Sequence, residues 1–503
     1  MNTITDNITR WPVVGKILSL AAIVMAACCC LTACVDEEKF TTPAGATLRL
    51  SADTLYLDTV LTRNVSATKR FTIYNDNSSG VSITKIEFEG NKPDGFMINV
   101  DGTFVDGPLT TPIDCRGKDS IFAFVQFVAR ELDSDEALPS EAKVIFTLAN
   151  GKKKSLLLQA HTMDVVRIAN THITANTTLS ATRPMLVMDS LVVDKGATLT
   201  IAPGTMLLFH NKAFMRVEGQ LIAKGSLDKP IIFRGDRFDM MFKYQAYDDI
   251  YGQWGGITFA TSSYGNELDY CDIHAGTWGI ACDSSDVSKL KLKLENSIVH
   301  NATHDMMHLT NCQTFVGNTQ ISNAGGHCLN IEGGDHTFVH CTIVSFCPFI
   351  ALRGHALNFT NVLHGEPCPI KQLKFYNCVI TGYASDEIYA QIDEDETVAC
   401  NYGFYNCLLN TPEIKDNPDV VNNMWETKDS EIRGKDNFVL LDTKNLRYDF
   451  RPVAESPARW LADPAVSQRY YPYDRLGQPR TNGATPPDAG CYQSAPDTPD
   501  PKQ

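Results

Sequence analysis

Basic residues are scarce in this chain. Over 503 residues, 44 Lys and Arg stand against 59 Asp and Glu, a formal net charge of −15. Nucleic acid rewards an excess of Lys and Arg, so the deficit argues against it as a partner. Acidic polymers are disfavoured too, unless a local basic patch or a bound cation intervenes. Long apolar runs are also missing. The stretch "ILSLAAIVMAACCCL", residues 17–31, comes nearest and is shorter than the roughly 20 residues of a membrane span. No Cys-x2-Cys pair occurs outside the first 33 residues, which removes the usual zinc-cluster signature. What remains, 43% hydrophobic and 20% charged, is the composition of a folded soluble protein. At this length two or more domains are expected unless the chain is a repeat array.

The N-terminus has the three parts of a secretion signal: Arg10 and Lys16, then the apolar run, then "LTAC". Leu31-Thr32-Ala33-Cys34 resembles the lipobox of bacterial lipoproteins. The resemblance implies cleavage before Cys34 and fatty acylation of Cys34, with Cys28, Cys29 and Cys30 leaving in the signal. "VDEE", residues 35–38, looks like the surface-export signal of Bacteroidota lipoproteins. The expected location is therefore the outer membrane, lipid-anchored and exposed at the cell surface. Residues 1–33 are then a signal peptide and 34–46 an acidic linker.

Residues 47–166 alternate in short runs such as "KRFTIYND", "SIFAFVQFVA" and "KSLLLQAHT", separated by "NDNSSG", "GNKPDG" and "LANGKK". About seven strands predict an antiparallel, immunoglobulin-like β-sandwich without a Cys…Trp…Cys core. It has one His, His161, and no nucleophile–base pairing. A spacer role is expected.

From there the sequence repeats. "LVVDKGATLTIAPGTMLLF" (191–209) matches "MRVEGQLIAKGSLDKPIIF" (215–233), aligning Leu191 with Met215, Leu199 with Leu221 and Leu207 with Ile231. Three short strands per period in the low twenties make one coil of a parallel β-helix. No helical stretch separates the strands, so βαβ units are excluded. Looser copies follow in "DYCDIHAG", "LENSIVHN", "VGNTQISN", "VHCTIVSF", "FYNCVITG" and "FYNCLLNT", with Asn296, Asn318, Asn361, Asn377 and Asn406 at similar places. This resembles the right-handed parallel β-helix family. The fold class is all-β: a sandwich, then a solenoid over 167–412. "DFRPVAESPARW…PPDAGCYQ" looks like the closing segment of secreted β-helix proteins. Residues 413–493 are expected to cap the last coil, with 494–503 a disordered tail.

Candidate chemistry is thin. Cys271, Cys341, Cys378 and Cys407 share one slot of the repeat and read as a stacked core column, a disulfide between neighbours being the alternative. His300, His304 and His308 are four apart, which on a helix would make a metal face, but they lie between β-strands. An enzyme of this fold would need a base beside acidic groups. The weak catalytic candidates are Arg353, His355 and Asp393, with Lys371, Asp386, Glu387, Glu394 and Glu396 nearby in sequence. The acidic run reads as a solvated loop. No cofactor is expected; calcium at Asp393 and Asp395 is the one cation the run suggests. The loop 235–256 gathers Tyr244, Tyr247, Tyr251 and Trp254 as sugar-stacking candidates, with Asp248 and Asp249 as hydroxyl acceptors. In the other reading, Trp254 opens a strand and the tyrosines cover the coil flank. Function then divides between a non-catalytic surface lipoprotein presenting loops to glycan or protein partners and a polysaccharide lyase or glycoside hydrolase. A purely structural envelope component fits the sequence equally well.

Overall fold

The structure is a computed structural model that describes residues 40–89, 95–105, 109–180, 182–480 and 485–494. The signal segment, Cys34 and the tail from 495 lie outside the described residues. The described residues form two compact units: one drawn from 40–55, 68–126 and 141–158, the other from 56–67, 127–140 and 159–494.

The N-terminal strands form two five-stranded antiparallel sheets among the described residues. Strict alternation drives this. In Lys153–Met163, Leu156, Leu158 and Ala160 point inward; in Leu138–Leu148, Ala142, Val144, Phe146 and Leu148 do. Phe71 of one sheet meets Phe146 of the other edge to face, centroids 6.1 Å apart. Ten strands are present among the described residues, against the seven expected runs: "LRLSADTLYLD" breaks into Arg49–Leu50 and Thr54–Leu61, which join different sheets, and Thr103–Val105 and Ile113–Cys115 add two short strands.

From Val166 to Glu426 the chain is a parallel β-helix with sheets of eleven, nine and ten strands among the described residues. A typical coil runs Ile298–Ala302 in the first sheet, Met307–Thr310 in the second and Gln313–Gly317 in the third. The predicted pairings Leu191–Met215 and Leu199–Leu221 are present. The third is corrected: Leu207 pairs with Phe233, two residues beyond Ile231. Residues 226–229 form a turn between Gln220–Lys224 and Ile231–Gly235, and a shift of two keeps every side chain on its face.

The corner between third and first sheets repeats a left-handed residue: Tyr270, Asn296, Asn318, His340, Asn377 and Asn406, with φ from 47° to 55°. Asn tolerates this region better than most L-residues, and its amide links coils: Asn318 Nδ2 donates to Asn296 Oδ1 at 2.7 Å. Asn361 is not in this column. It sits after Leu357–Thr360, where its Nδ2 donates to the Val398 carbonyl. The next residues inward form the cysteine column, with Ser297 and Thr319 filling the coils between Cys271 and Cys341. Ser297, Thr319, Cys378 and Cys407 each accept the N–H of the column residue before: Cys271 N–H to Ser297 Oγ at 3.0 Å, Cys378 N–H to Cys407 Sγ at 3.3 Å. All described cysteines are free thiols.

Residues 420–426 add the last rungs of the first and third sheets. Beyond them, parts of the chain lie along the outer flank. Tyr471 Oη donates to Glu295, Arg480 Nη2 to Asn318 at 2.6 Å, the Asp463 N–H to Asn377 at 2.8 Å and Asn406 Nδ2 to the Leu461 carbonyl at 3.0 Å; Ser467 Oγ meets His340 Nε2 at 2.8 Å. The partners belong to five successive coils. Beneath, Val344, Phe346, Val379 and Leu408 on the outer side of the first sheet pack against Phe438, Phe450, Ala489 and Tyr492. Strands here are buried on both faces; all four residues of Thr342–Ser345 are.

Candidate functional site

The outer face of the second sheet carries a polar and aromatic strip, exposed at Trp278 and Tyr389, half-buried at His308 and Asn358 and buried at Asn330. Strand alternation turns His308 and Thr310 out while Met307 and Leu309 fill the core. Parallel register then stacks His308 on Asn330, Asn330 on Asn358 and Asn358 on Tyr389. At the preceding corner, Trp278, 38% exposed, lies against His304 at 4.6 Å and His308 at 6.0 Å. His327 stacks on His355 at 5.7 Å, and His355 on Tyr389, half exposed, at 5.4 Å.

One imidazole ties two carboxylates. His308 Nδ1 is 3.1 Å from Asp305 Oδ2, and its Nε2 is 3.1 Å from Glu332 Oε2. Asp305 also accepts the His327 N–H at 2.8 Å and Asn330 Nδ2 at 2.9 Å; Glu332 accepts Thr310 Oγ1 at 2.9 Å. These bonds, with Asp305 first, push His308 up to about 9. Burial raises Asp305, but its bonds from His308, the His327 N–H and Asn330 outweigh it, so Asp305 stays below the usual carboxylate range. Glu332 is lowered by His308. Burial lowers His327, whose Nδ1 accepts the His355 N–H at 3.0 Å. Gly326 permits the approach of Asp305: a Cβ there would meet Asp305 Oδ1 at 2.3 Å.

This set is poor in acid–base capacity at neutral pH. His308 holds its proton, and both carboxylates are engaged by the same cation. It is rich in fixed hydrogen-bonding groups between two aromatic faces.

The sequence candidates divide. His355 is in the strip. Arg353 is partly buried, its guanidinium 5.0 Å over the Tyr383 ring. Glu387 is buried beneath the strip, accepting the Ala356 N–H at 2.9 Å and the Ala384 N–H at 2.7 Å, and burial raises it to about 7. Asp393 and Asp395 fold their own loop: Asp393 Oδ1 accepts the Asp395 N–H at 2.9 Å, and Asp395 Oδ1 accepts Thr397 N–H and Oγ1. Asp386 likewise caps Ile388 N–H. Glu394, Glu396 and Lys371 are exposed. Among the described residues no hydrogen bond or ion pair joins residues 393–396 to Arg353 or His355.

Trp254 is corrected as a ligand platform. It is fully buried, stacked on Phe209 at 4.2 Å, with its Nε1 donating to the His274 carbonyl at 2.8 Å. Indole is the largest apolar group in the loop and fills the coil interior. Tyr251 packs against Phe349, Tyr247 lies under Arg237 at 3.7 Å, and Tyr244 is half exposed beside Phe242. His300, His304 and His308 do not share a face: His300 lies in the first sheet, His308 in the second and His304 in the corner between. Sequence reasoning missed Trp278, Asp305, Glu332, His327 and Tyr389. Asp305 and His308 are three apart, but the other partners lie 22 to 34 residues away across coils of unequal length, which no fixed period reveals.

No family model and no curated protein matches the chain. Among solved structures it is similar to the catalytic unit of a family 87 α-1,3-glucanase from Streptomyces thermodiastaticus, with 10% identity, 71% of this chain, 74% of that chain and a TM-score of 0.25. It is also similar to a family 123 glycoside hydrolase from Clostridium perfringens, with 9% identity, 27% and 30% coverage and a TM-score of 0.19. A PapD-like domain of human CEP192 has 9% identity, 25% and 92% coverage and a TM-score of 0.18. The β-helix assignment rests on the strand register of this chain.

Proposed function

We propose that the protein is a surface-anchored outer-membrane lipoprotein whose β-helix binds glycan without cleaving it. The observation that carries the glycan reading is the strip from Trp278 through His308, Asn330 and Asn358 to Tyr389. Four spacings of about 4.8 Å across its five coils make it roughly 19 Å long, the scale of an extended oligosaccharide. Exposed rings at both ends offer stacking faces, and amides and carboxylates between them offer hydroxyl partners. The location reading is supported by "LTAC" and "VDEE" in the sequence, with Cys34 as the lipidated residue and the antiparallel unit as spacer. Surface proteins are a second class of partner for the same face.

The test is a polysaccharide screen of the purified protein, recording retention together with reducing-end and unsaturated products. Retention without turnover, lost in Trp278→Ala and Tyr389→Ala, is the expected result. Turnover abolished by Asp305→Asn or Glu332→Gln would replace the binding reading with a carbohydrate-active enzyme. Cys34→Ser should release the protein from membranes; unchanged membrane retention would refute the anchor.

A further inference from the structure

The outer side of the first sheet holds a second cluster, on a different sheet from the strip. Register places Asp272 and His274 on one coil and His300 on the next, with His274 directly over His300, rings stacked at 4.8 Å. Asp272 Oδ1 is 2.8 Å from His274 Nδ1 and 3.3 Å from His300 Nε2. One ligand atom from each of the three residues lies within 4.8 Å of the other two, and no other such trio of His, Cys, Asp or Glu occurs among the described residues. The far nitrogen of His274, Nε2, is 2.8 Å from Asp248 Oδ1, and Asp248 is held by Arg234 Nη2 at 2.9 Å.

On its open side the cluster meets a cleft of about 420 Å³ lined by Asp249, His300, Asn301, Tyr448 and Arg451, among others. Asn301 is 3% exposed. Its Nδ2 donates to the Asp249 carbonyl at 3.2 Å, while its Oδ1 has no hydrogen-bond partner. The Tyr448 hydroxyl in the same cleft is also without one. Buried acceptors are seldom left unpaired. Here an unpaired acceptor borders a space beside three convergent donors.

We propose that Asp272, His274 and His300 bind a first-row divalent cation of the zinc class, with its remaining coordination positions open to the Asn301–Tyr448 cleft. Two imidazoles and one carboxylate suit zinc, cobalt, nickel or iron rather than calcium or magnesium, which take oxygen. The cation replaces the proton between His274 Nδ1 and Asp272 Oδ1. Asp248, fixed by Arg234, accepts from the other ring nitrogen and orients the imidazole, the usual arrangement behind a metal-bound histidine. Three protein ligands and an open position are the pattern of a site that presents water or a small ligand to the metal.

The test is titration of the purified full chain with cobalt(II) and zinc(II), followed by visible absorption, calorimetry and native mass spectrometry. One equivalent per chain is expected, with cobalt d–d bands and no thiolate charge-transfer band. Asp272→Asn and His300→Gln should each abolish it while keeping the wild-type circular dichroism spectrum. Asp248→Asn should weaken binding by about 10- to 100-fold, and Asp393→Asn should leave it unchanged. Should His300→Gln misfold, Asp272→Asn, which preserves side-chain shape, carries the comparison. Absence of one-equivalent binding to the wild-type chain overturns the proposal. So does binding that survives both ligand substitutions, or a thiolate band.

Discussion

The two outer flanks of the solenoid are built from the same repeat and reach opposite ends. On the first sheet the chain returns and lies over five coils, so strands such as Thr342–Ser345 are buried on both sides. His340 there is lowered well below its ordinary value by burial and by nearby Arg480. On the second sheet no segment returns among the described residues. His308 keeps water access, gains two carboxylate partners and is raised instead. The same residue type titrates in opposite directions according to whether burial or a counter-charge dominates.

The comparison breaks most completely where the core supporting the covered flank is emptied. Trp254→Ala should cost about 3–5 kcal/mol in denaturant unfolding, since it removes a fully buried indole stacked on Phe209. A loss below about 1 kcal/mol would contradict its core role. Next is the covering segment. Asn318→Ala removes the acceptor for Arg480 and puts Ala at φ 51°, an expected loss of about 2–4 kcal/mol. Asn318→Gly keeps the backbone and should lose less. Limited proteolysis should release residues beyond 461 faster in both variants.

The open flank is sharpened by pH. His308 is raised from 6.5 to about 9, so its stabilisation is full below 6.5 and is lost as pH rises through 9. The lowered Asp305 and Glu332 contribute above their unfolded range, and that share is lost as pH falls through their folded values. The His308 share of stability should decline by about 2–3 kcal/mol between about pH 6.5 and 9, and His308→Gln should remove that share. The smallest stability effect belongs to Trp278→Ala and Tyr389→Ala, about 0.5 kcal/mol or less each. Their effect should fall on glycan retention alone, and a large loss of stability would make them structural.

Much of the fold was legible because a coil repeats its own chemistry. Leu199 over Leu221 and Asn296 under Asn318 are the same residue in the same slot, and stacking identical groups is what a solenoid does. The site was less legible because its partners differ in type. His308, Asn330, Asn358 and Tyr389 share a column but no residue class, and the turns between them vary in length. Trp254 was ambiguous for another reason. An aromatic residue beside a loop reads alike whether it points in or out, and one bond rotation separates a platform from a core residue.

The sequence by itself determined the all-β character, the period and the alternation, since these follow from local spacing of apolar side chains. It also carries the lipobox-like "LTAC", which lies outside the described residues. Only the tertiary structure decided register across unequal coils, and with it the pairing of His308 with Glu332 and of His274 with His300. It also decided which flank the C-terminal segment covers. Those outcomes depend on contacts between residues tens to more than a hundred positions apart, and no local pattern encodes where two such segments meet.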